Sequence, residues 1–372
     1  MVVMALDHVR DFFHFSAVQG FEPTDLTRAS GWIFFSRWIT HFCAPIFSFL
    51  AGTGTFLAVM RGKPKATLSW FLVTRGLWLI GLELTVFVWF GWDFNIHPHS
   101  YVLATLWALG TSMVLLAGLI HLPTWVSGLF GAVLILGHNA FDRVTPSSWG
   151  AWAPLWNVLH VPGVFQTGGC SIFAFYPLIP WLGVMAAGYA FGGLYKLSPE
   201  ARRAWLWRLG LALTAAFVIV RFANVYGDPA PWSHQPRPGF TLLSFLNVTK
   251  YPPSLCYLLM TLGPGTLLLA AWDGGHPAWL DPFIVFGRVP FFYYILHIPL
   301  IHGLSYAFNY FRFGHAEFTG ITLGIAAPPT AGVSLVTTYL IWIGVVAALY
   351  PACRWFAGLK RRRRDLTWLS YF

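Results

Sequence analysis

Long apolar segments recur along the chain and constrain its fold more than any other feature of the sequence. They lie at about residues 31–60, 69–92, 101–120, 123–138, 172–195, 209–226, 253–272, 284–306 and 332–356. A helix needs roughly 20 predominantly apolar residues to cross a bilayer, and only 10% of the residues in this chain are charged. Because backbone polar groups in lipid must be satisfied within the segment itself, these segments predict membrane-spanning helices.

An earlier apolar segment, residues 1–16, carries several ionisable side chains. Asp7, Asp11 and His14 have the i, i+4, i+7 spacing of one helix face, and Arg10 lies one step to the side. Charges inside a bilayer are costly unless they face a protein interior or a water-filled cavity. The sequence therefore predicts an all-α polytopic membrane protein, with about ten transmembrane helices around an intramembrane polar cavity.

Basic residues predict the orientation of these helices. They concentrate in connectors 61–65 and 196–208 and in the run 360–364, which follow the second, sixth and tenth expected helices. By the positive-inside rule, both termini are cytoplasmic and the long loops are extracytoplasmic. We expect a single domain over residues 1–372, with a basic cytoplasmic tail at 357–372. The short first segment leaves open that the first helix is truncated and that the true start lies upstream.

The net charge of +10 raises the question of nucleic acid. Part of this charge belongs to the terminal basic run, where contact with lipid headgroups is the simpler interpretation. No aromatic and basic surface module accompanies the run, so we expect the lipid bilayer as a partner and no nucleic acid. The four cysteines are too few and too scattered for a disulfide framework.

The second apolar segment contains Arg37 and His41, one helical turn apart. A cation and an imidazole in this environment need a partner, and Asp7 or Asp11 of the first helix is the expected one. Two roles remain open for such a pair: an architectural link between helices, or part of a functional site.

The third segment contains Arg75 near its cytoplasmic end and Glu83 near mid-depth. Their spacing of eight residues argues against a direct pair. Arg75 either reaches the lipid headgroups or binds a phosphate that enters from the cytoplasm. A carboxylate at mid-depth is by default a functional-site hypothesis, so Glu83 is a candidate site residue.

The ninth expected helix is rich in polar side chains. Tyr293 and Tyr294 lie four and three residues before His297, so both can flank its imidazole on one helix face. Arg288 precedes them, and His302 lies toward the extracytoplasmic end. This combination favours a lined cavity over a single structural histidine.

Several kinds of chemistry lack a motif in this sequence. Among the 13 histidines, His97 and His99 are two apart, but neither His-x-x-x-His nor Cys-x-x-Cys spacing occurs. We therefore predict no metal site. Phosphate-binding glycine loops and the Gly-x-Ser-x-Gly elbow are absent as well, which argues against nucleotide hydrolysis and esterase chemistry.

Five blocks of the sequence resemble a bacterial member of the heparan-α-glucosaminide N-acetyltransferase-like family of multi-pass membrane acyltransferases. They are MALDHVRDFFH at 4–14, THFCAPIFSFLAGT at 40–53, YPLIPWLGVM at 176–185, NVTKYPPS at 247–254 and GRVPFFYYILH at 287–297. The resemblance implies that acetyl-CoA enters from the cytoplasm and that the acetyl group reaches a sugar amine outside. It also implies a central histidine just beyond the first helix, and His14 is the position that best matches it.

Our hypothesis is a multi-pass acyltransferase of the bacterial inner membrane, with acetyl-CoA as co-substrate and an amino sugar or envelope glycan as acceptor. A histidine near a carboxylate can serve as a general base or can carry the acyl group, and both roles remain open. The catalytic candidates are His14, Asp7, Asp11 and His41. The candidates for binding substrate or acetyl-CoA are His8, Arg10, Arg37, Arg75, Glu83, Arg288, Tyr293 and His297.

Two other classes of protein remain open. A secondary transporter or flippase would use the same charged face as a proton relay or substrate site. A structural membrane subunit would explain the helices but gives Glu83 and the charged first helix no role. The sequence also leaves open a homodimer.

Overall fold

The computed structural model describes residues 1–94, 99–319, 325–363 and 365–372. Within them, eight helices are long and apolar enough to cross a membrane, which confirms the all-α polytopic class. They are Gly31–Met60, Lys65–Trp92, Thr124–Phe141, Leu178–Lys196, Pro199–Ala223, Leu255–Trp272, Pro290–Phe313 and Leu335–Arg362. His97 and Arg364 lie outside the described residues.

The α-helices are numbered in chain order. They are α1 (Val2–Phe13), α2 (Phe15–Val18), α3 (Gly31–Trp38), α4 (Cys43–Met60), α5 (Lys65–Leu82), α6 (Thr105–Leu119), α7 (Thr124–Gly137), α8 (Ala153–Leu159), α9 (Leu178–Phe191), α10 (Pro199–Ala223), α11 (Phe240–Leu246), α12 (Leu255–Trp272), α13 (Asp281–Arg288), α14 (Pro290–Phe313) and α15 (Leu335–Arg362). Short 3₁₀ turns join several of them, and Glu83–Trp92 is wound as a π-helix.

Each expected membrane helix has a helical counterpart, but two of these counterparts are not among the eight helices long enough to cross a membrane. The first, α1, has 12 residues, and α6 has 15. The ninth expected helix, which we placed from about residue 284, is divided into α13 and α14. Val289 lies between them in a non-helical conformation (φ −134°, ψ 51°), as a residue that precedes a proline often does.

A small sheet occupies residues that we assigned to helix starts and loops. Its strands are β1 (Ser100–Leu103), β2 (Gly163–Thr167) and β3 (Cys170–Ala174), in the order β1-β3-β2. Strand β3 runs parallel to β1 and antiparallel to β2. Gly168 and Gly169, with φ of 56° and 78°, form the two-residue turn between β2 and β3. Such a turn needs positive φ at both positions, which glycine adopts without strain.

The described residues form two compact units. The first comprises residues 1–43, 86–98 and 276–372, and the second comprises 44–85 and 99–275, apart from the residues that are not described. The expectation of a single domain over residues 1–372 stays a prediction.

In the first unit, hydrogen bonds hold both ends of α1. Near its start, the indole Nε1 of Trp342 donates to the carbonyl oxygen of Val2 at 2.8 Å. Near its end, the Ser305 hydroxyl donates to the carbonyl oxygen of Phe12 at 2.9 Å. The backbone beyond α1 pairs with Val333 in a parallel bridge. The partners come from α14, α15 and the segment before α15, so α1 depends on the distant end of the chain.

In the second unit, helices approach closely at glycines. A Cβ atom at Gly52 of α4 would overlap the backbone of Met185 and Tyr189 in α9. Gly76 of α5 and Gly110 of α6 face each other in the same way. Small residues allow helix backbones to come together in lipid, where packing rather than the hydrophobic effect stabilises the contact.

The neighbouring glycines of α4 provide a matched test of this contact. We expect Gly52→Ala to lower stability by about 1–3 kcal/mol, because the methyl group meets backbone atoms that cannot rotate away. Gly54 has open space around its Cα, so Gly54→Ala should be neutral or stabilising, by up to about 1 kcal/mol. Thermal midpoints of the detergent-solubilised variants measure both effects. Equal midpoints for the two variants would contradict the proposed packing.

Candidate functional site

The Asp7 carboxylate is the centre of a buried ionic cluster in the first unit. It accepts hydrogen bonds from Arg37 Nη1, at 2.7 Å to Oδ1 and 2.6 Å to Oδ2, and from the Thr40 hydroxyl at 2.8 Å. Arg10 also donates to it from one turn further along α1. This confirms the expected pairing of Arg37 with a carboxylate of the first helix.

Arg10 is fully buried and has further partners. Its Nη2 donates to Asp11 Oδ1 at 2.9 Å, and its Nη1 donates to the carbonyl oxygen of Ser36 at 3.3 Å. Two guanidinium groups and two carboxylates therefore balance in charge around the contact of α1 with α3. Charges that are paired and hydrogen-bonded in this way can be buried, whereas one left alone is strongly destabilising.

His14 does not continue the charged face of α1. The helix ends at Phe13, and His14 is extended (φ −72°, ψ 137°) as the N-cap of α2. Its Nδ1 accepts from the backbone N–H of Ser16 at 3.1 Å and lies 2.8 Å from the Ser16 hydroxyl. The orienting partner of this imidazole is thus Ser16 rather than Asp7 or Asp11, because His14 has left the helical register on which that expectation rested.

The capping bond also selects a tautomer of His14. A backbone N–H is only a donor, so Nδ1 is the acceptor and a neutral ring carries its proton on Nε2. Partial burial lowers the pKa of His14, and the nearby Arg10 cation lowers it further. The ring is therefore neutral near pH 7, with an N–H at Nε2.

His297 on α14 has the opposite arrangement. Its Nδ1 lies 3.0 Å from the carbonyl oxygen of Tyr293, which can only accept, so Nδ1 carries a proton and a neutral ring has its lone pair on Nε2. That Nε2 atom is buried and makes no hydrogen bond with the described residues. The Tyr293 ring stacks on the imidazole with 4.9 Å between the ring centres, and the Tyr294 ring lies edge-on to it with 5.5 Å between the ring centres. The expected tyrosine neighbours of His297 are confirmed.

A second face of α1 packs against this imidazole. The rings of His8 and His297 lie 5.2 Å apart, and His8 lies 5.5 Å from Trp92. One turn further along α1, the Phe12 ring stacks on His302 at 5.0 Å. Trp92 ends the π-helical segment Glu83–Trp92, and such windings are frequent at functional sites. No sequence pattern marked Trp92, because a π-helix has no simple hydrophobic signature.

Two candidates in the first unit lie elsewhere. His41 is buried in the 3₁₀ turn Ile39–Phe42 that links α3 to α4. Arg288 is exposed at the end of α13, and it is not part of the polar face of α14. Our placement of Arg288 in one continuous span with His297 is wrong, because the chain breaks at Val289 before Pro290.

Glu83 belongs to the second unit and caps a helix. Its carboxylate Oε2 accepts from the backbone N–H of Leu106 at 2.7 Å and of Trp107 at 3.3 Å. These are N–H groups of the first turn of α6, which have no acceptor within the helix, and a negative charge there also interacts favourably with the helix dipole. Arg75 lies two turns before Glu83 in the same membrane helix. Its guanidinium carbon Cζ lies 5.8 Å from the centre of the Phe71 ring.

The second unit also brings together two of the blocks on which the resemblance rests. The rings of Tyr176 and Tyr251 lie 5.2 Å apart, and Lys250 Nζ lies 5.1 Å from the Tyr251 ring. Asp228 holds the block at 247–254 in place, because its carboxylate accepts hydrogen bonds from the Thr249 N–H at 2.9 Å and the Ser254 hydroxyl at 2.7 Å. Sequence reasoning missed Asp228, because its partners lie more than 20 residues away.

These features define an all-α membrane protein whose first helix is packed through paired charges on one face and imidazole and aromatic rings on another. Residues 1–222 match the family model described as heparan-alpha-glucosaminide N-acetyltransferase, catalytic. The match covers more than half of the chain, and the chain belongs to this family. No curated protein matches it.

The ionic cluster predicts unequal effects for its two carboxylates. We expect Asp7→Asn to destabilise the protein by about 3–5 kcal/mol, because it leaves two arginines of the cluster without their shared counter-charge. Asp11 is about one-third exposed in its side chain (35%), so Asp11→Asn should cost roughly 1 kcal/mol or less. Thermal unfolding of the two variants in the same detergent provides the comparison. A larger loss of stability for Asp11→Asn than for Asp7→Asn would show that Asp7 is not the central charge of the cluster.

Proposed function

We propose that this protein is a transmembrane acetyltransferase that moves an acetyl group from acetyl-CoA to an amine on the other side of the membrane. The observation that carries the proposal is the family match over residues 1–222, which includes α1 and the helices of the ionic cluster. The buried imidazole of His297 beside His8 adds a chemical group suited to acyl transfer.

The orientation follows from the positive-inside rule. The basic connector at residues 61–65 and the start of α5 are proposed to face the cytoplasm, the side from which acetyl-CoA would enter. The acceptor is then an extracytoplasmic amino sugar or envelope glycan. The same rule makes both termini cytoplasmic.

Transfer needs a base or a nucleophile with an available lone pair. In direct transfer, the acceptor nitrogen attacks the thioester carbonyl, the base takes the proton from nitrogen, and the carbon–sulfur bond breaks to release CoA thiolate. In stepwise transfer, an imidazole nitrogen attacks the thioester carbonyl and the carbon–sulfur bond breaks to release CoA thiolate; the amine then attacks the acyl-imidazole, the carbon–nitrogen bond to the ring breaks, and the ring nitrogen takes the amine proton. The same nitrogen can serve either route.

The tautomers favour different tasks for the two histidines. His297 presents a lone pair at Nε2, the arrangement that a base or an acyl acceptor needs. His14 presents an N–H at Nε2, which suits donation to a carbonyl oxygen or to the leaving sulfur. For His14 to carry the acetyl group, its proton must first move to Nδ1, and the N-cap bond to Ser16 must break.

Asparagine variants separate chemistry from support at each histidine. At His14, asparagine keeps a side-chain acceptor for the N-cap of α2 and removes Nε2. At His297, asparagine keeps a donor in reach of the Tyr293 carbonyl and also removes Nε2. We expect His297→Asn to reduce acetyl transfer by at least roughly 100-fold, and His14→Asn by roughly 100-fold, the lower end of a general acid–base contribution.

The measurement uses purified full-length protein in liposomes, radiolabelled acetyl-CoA and a panel of amino sugars. Exposed His121→Gln serves as the control and should retain wild-type activity. Full activity of His297→Asn would remove it from the chemistry, and the same result for His14→Asn would leave His14 a capping residue. Folded wild-type protein that neither binds acetyl-CoA nor transfers the acetyl group would overturn the proposed function.

A further inference from the structure

A cluster of two histidines and an aspartate in the second unit lies apart from the residues discussed above. His138 begins the 3₁₀ turn that follows α7, and Asp142 lies four residues later. His160 is the C-cap of α8. One ligand atom from each side chain lies within 4.8 Å of those of the other two. The spacing rules applied to the sequence miss this cluster, because its third member comes from another helix.

Both imidazoles are buried, and neither forms a hydrogen bond with the described residues. His138 is 1% exposed and His160 is 0% exposed. None of their four ring nitrogens makes a hydrogen bond to any residue that the structure describes, and His160 Nε2 lies 3.4 Å from Asp142 Oδ1. Buried polar atoms nearly always have a partner, and leaving one without a partner is costly. The four ring nitrogens of the cluster are therefore buried without a hydrogen-bond partner among the described residues.

The Asp142 carboxylate is oriented by a second layer of contacts. Asn139 donates from Nδ2 to Asp142 Oδ2 at 2.9 Å, and its Oδ1 accepts from the backbone N–H of Leu255 at 2.9 Å. These bonds fix one carboxylate oxygen and leave the other directed at His160. Ligands of metal ions are typically held by such outer contacts.

Two aromatic rings flank His160. The Trp156 ring lies 5.1 Å from the imidazole, and the Phe141 ring lies 6.4 Å from it. Trp156 is itself fixed by a hydrogen bond from Nε1 to the carbonyl oxygen of Val144 at 2.8 Å. An apolar layer of this kind limits solvent access and strengthens the interaction of charged ligands with an ion.

We propose that His138, Asp142 and His160 bind a divalent transition-metal ion, with Zn²⁺ as the best match. Two imidazole nitrogens and one carboxylate oxygen are a ligand set that suits Zn²⁺, and three protein ligands leave a position for water or another molecule. Calcium and magnesium prefer oxygen ligands throughout. This inference does not depend on the proposed acetyltransferase function.

Ion binding requires only a modest closure of the cluster. Bonds of about 2.0–2.2 Å place the donors of a tetrahedral ion roughly 3.3 Å apart. The donors, which lie within 4.8 Å of one another, must therefore draw together by an ångström or so. Rotation of the side chains can supply this movement, and the ring nitrogens have no hydrogen bonds to described residues that would oppose it.

Metal content of the full-length protein in detergent tests the proposal directly. After dialysis against metal-free buffer, wild type and the control His121→Gln should retain about one ion per chain, as expected for a single site. The variant His160→Gln should retain at least roughly 10-fold less, because the loss of even an outer partner of a ligand typically lowers metal affinity about 10-fold to 100-fold. His121 is exposed in the connector between α6 and α7, so it controls for adventitious binding by surface histidines.

Titration of the metal-free protein provides a second readout. Co²⁺ should produce saturable visible absorption bands in wild type and in His121→Gln, and Zn²⁺ should displace it. Asp142→Asn keeps the shape of the side chain while removing its charge, so it should weaken Co²⁺ binding without loss of fold, as judged by circular dichroism. Wild-type protein with neither retained metal nor a saturable Co²⁺ spectrum would overturn the proposal, as would His160→Gln and Asp142→Asn variants that bind as wild type does.

Discussion

The first unit depends on the Asp7 carboxylate, which lies between two arginines. Asp7 and Arg10 come from α1, and Arg37 comes from α3, so the pairings join two helices that are separated by a long connector. In a chain with so few charges, burying these groups is tolerable only because their hydrogen bonds and net charge are balanced. The same contact orients the other face of α1, where His8 and Phe12 pack against rings of the same unit.

Two histidines of the first unit differ in the atoms that hold them, and this difference decides which ring nitrogen has a lone pair. A backbone N–H fixes His14 through Nδ1 as an acceptor, whereas a backbone carbonyl fixes His297 through Nδ1 as a donor. The catalytic potential of an imidazole depends on which nitrogen has a lone pair. A test of the hypothesis that a histidine mediates acetyl transfer must therefore distinguish the two nitrogen atoms of each imidazole.

Buried ionisable groups in this protein also serve structural tasks. Glu83 was a functional candidate because a carboxylate at mid-depth is costly, yet its oxygen accepts from two N–H groups at the start of α6. Arg221 is a similar case, because its guanidinium donates to backbone carbonyls that include those of Phe245 and Asn247. A buried charge in a membrane protein therefore indicates a partner, which can be backbone as readily as substrate.

The sequence by itself determined the membrane class, the approximate helices, the family and the pairing of Arg37 with α1. The membrane class, the helices and the pairing follow from apolar length, charge scarcity and helical spacing, which act within or between neighbouring segments, whereas the family follows from the resemblance of five sequence blocks. Only the tertiary structure decided that α1 stops before His14, that Arg288 is separated from His297, and that His138, Asp142 and His160 meet. Each of these outcomes depends on the conformation of a single residue at a helix end or on contacts between distant segments, and periodicity along one helix carries no information about either.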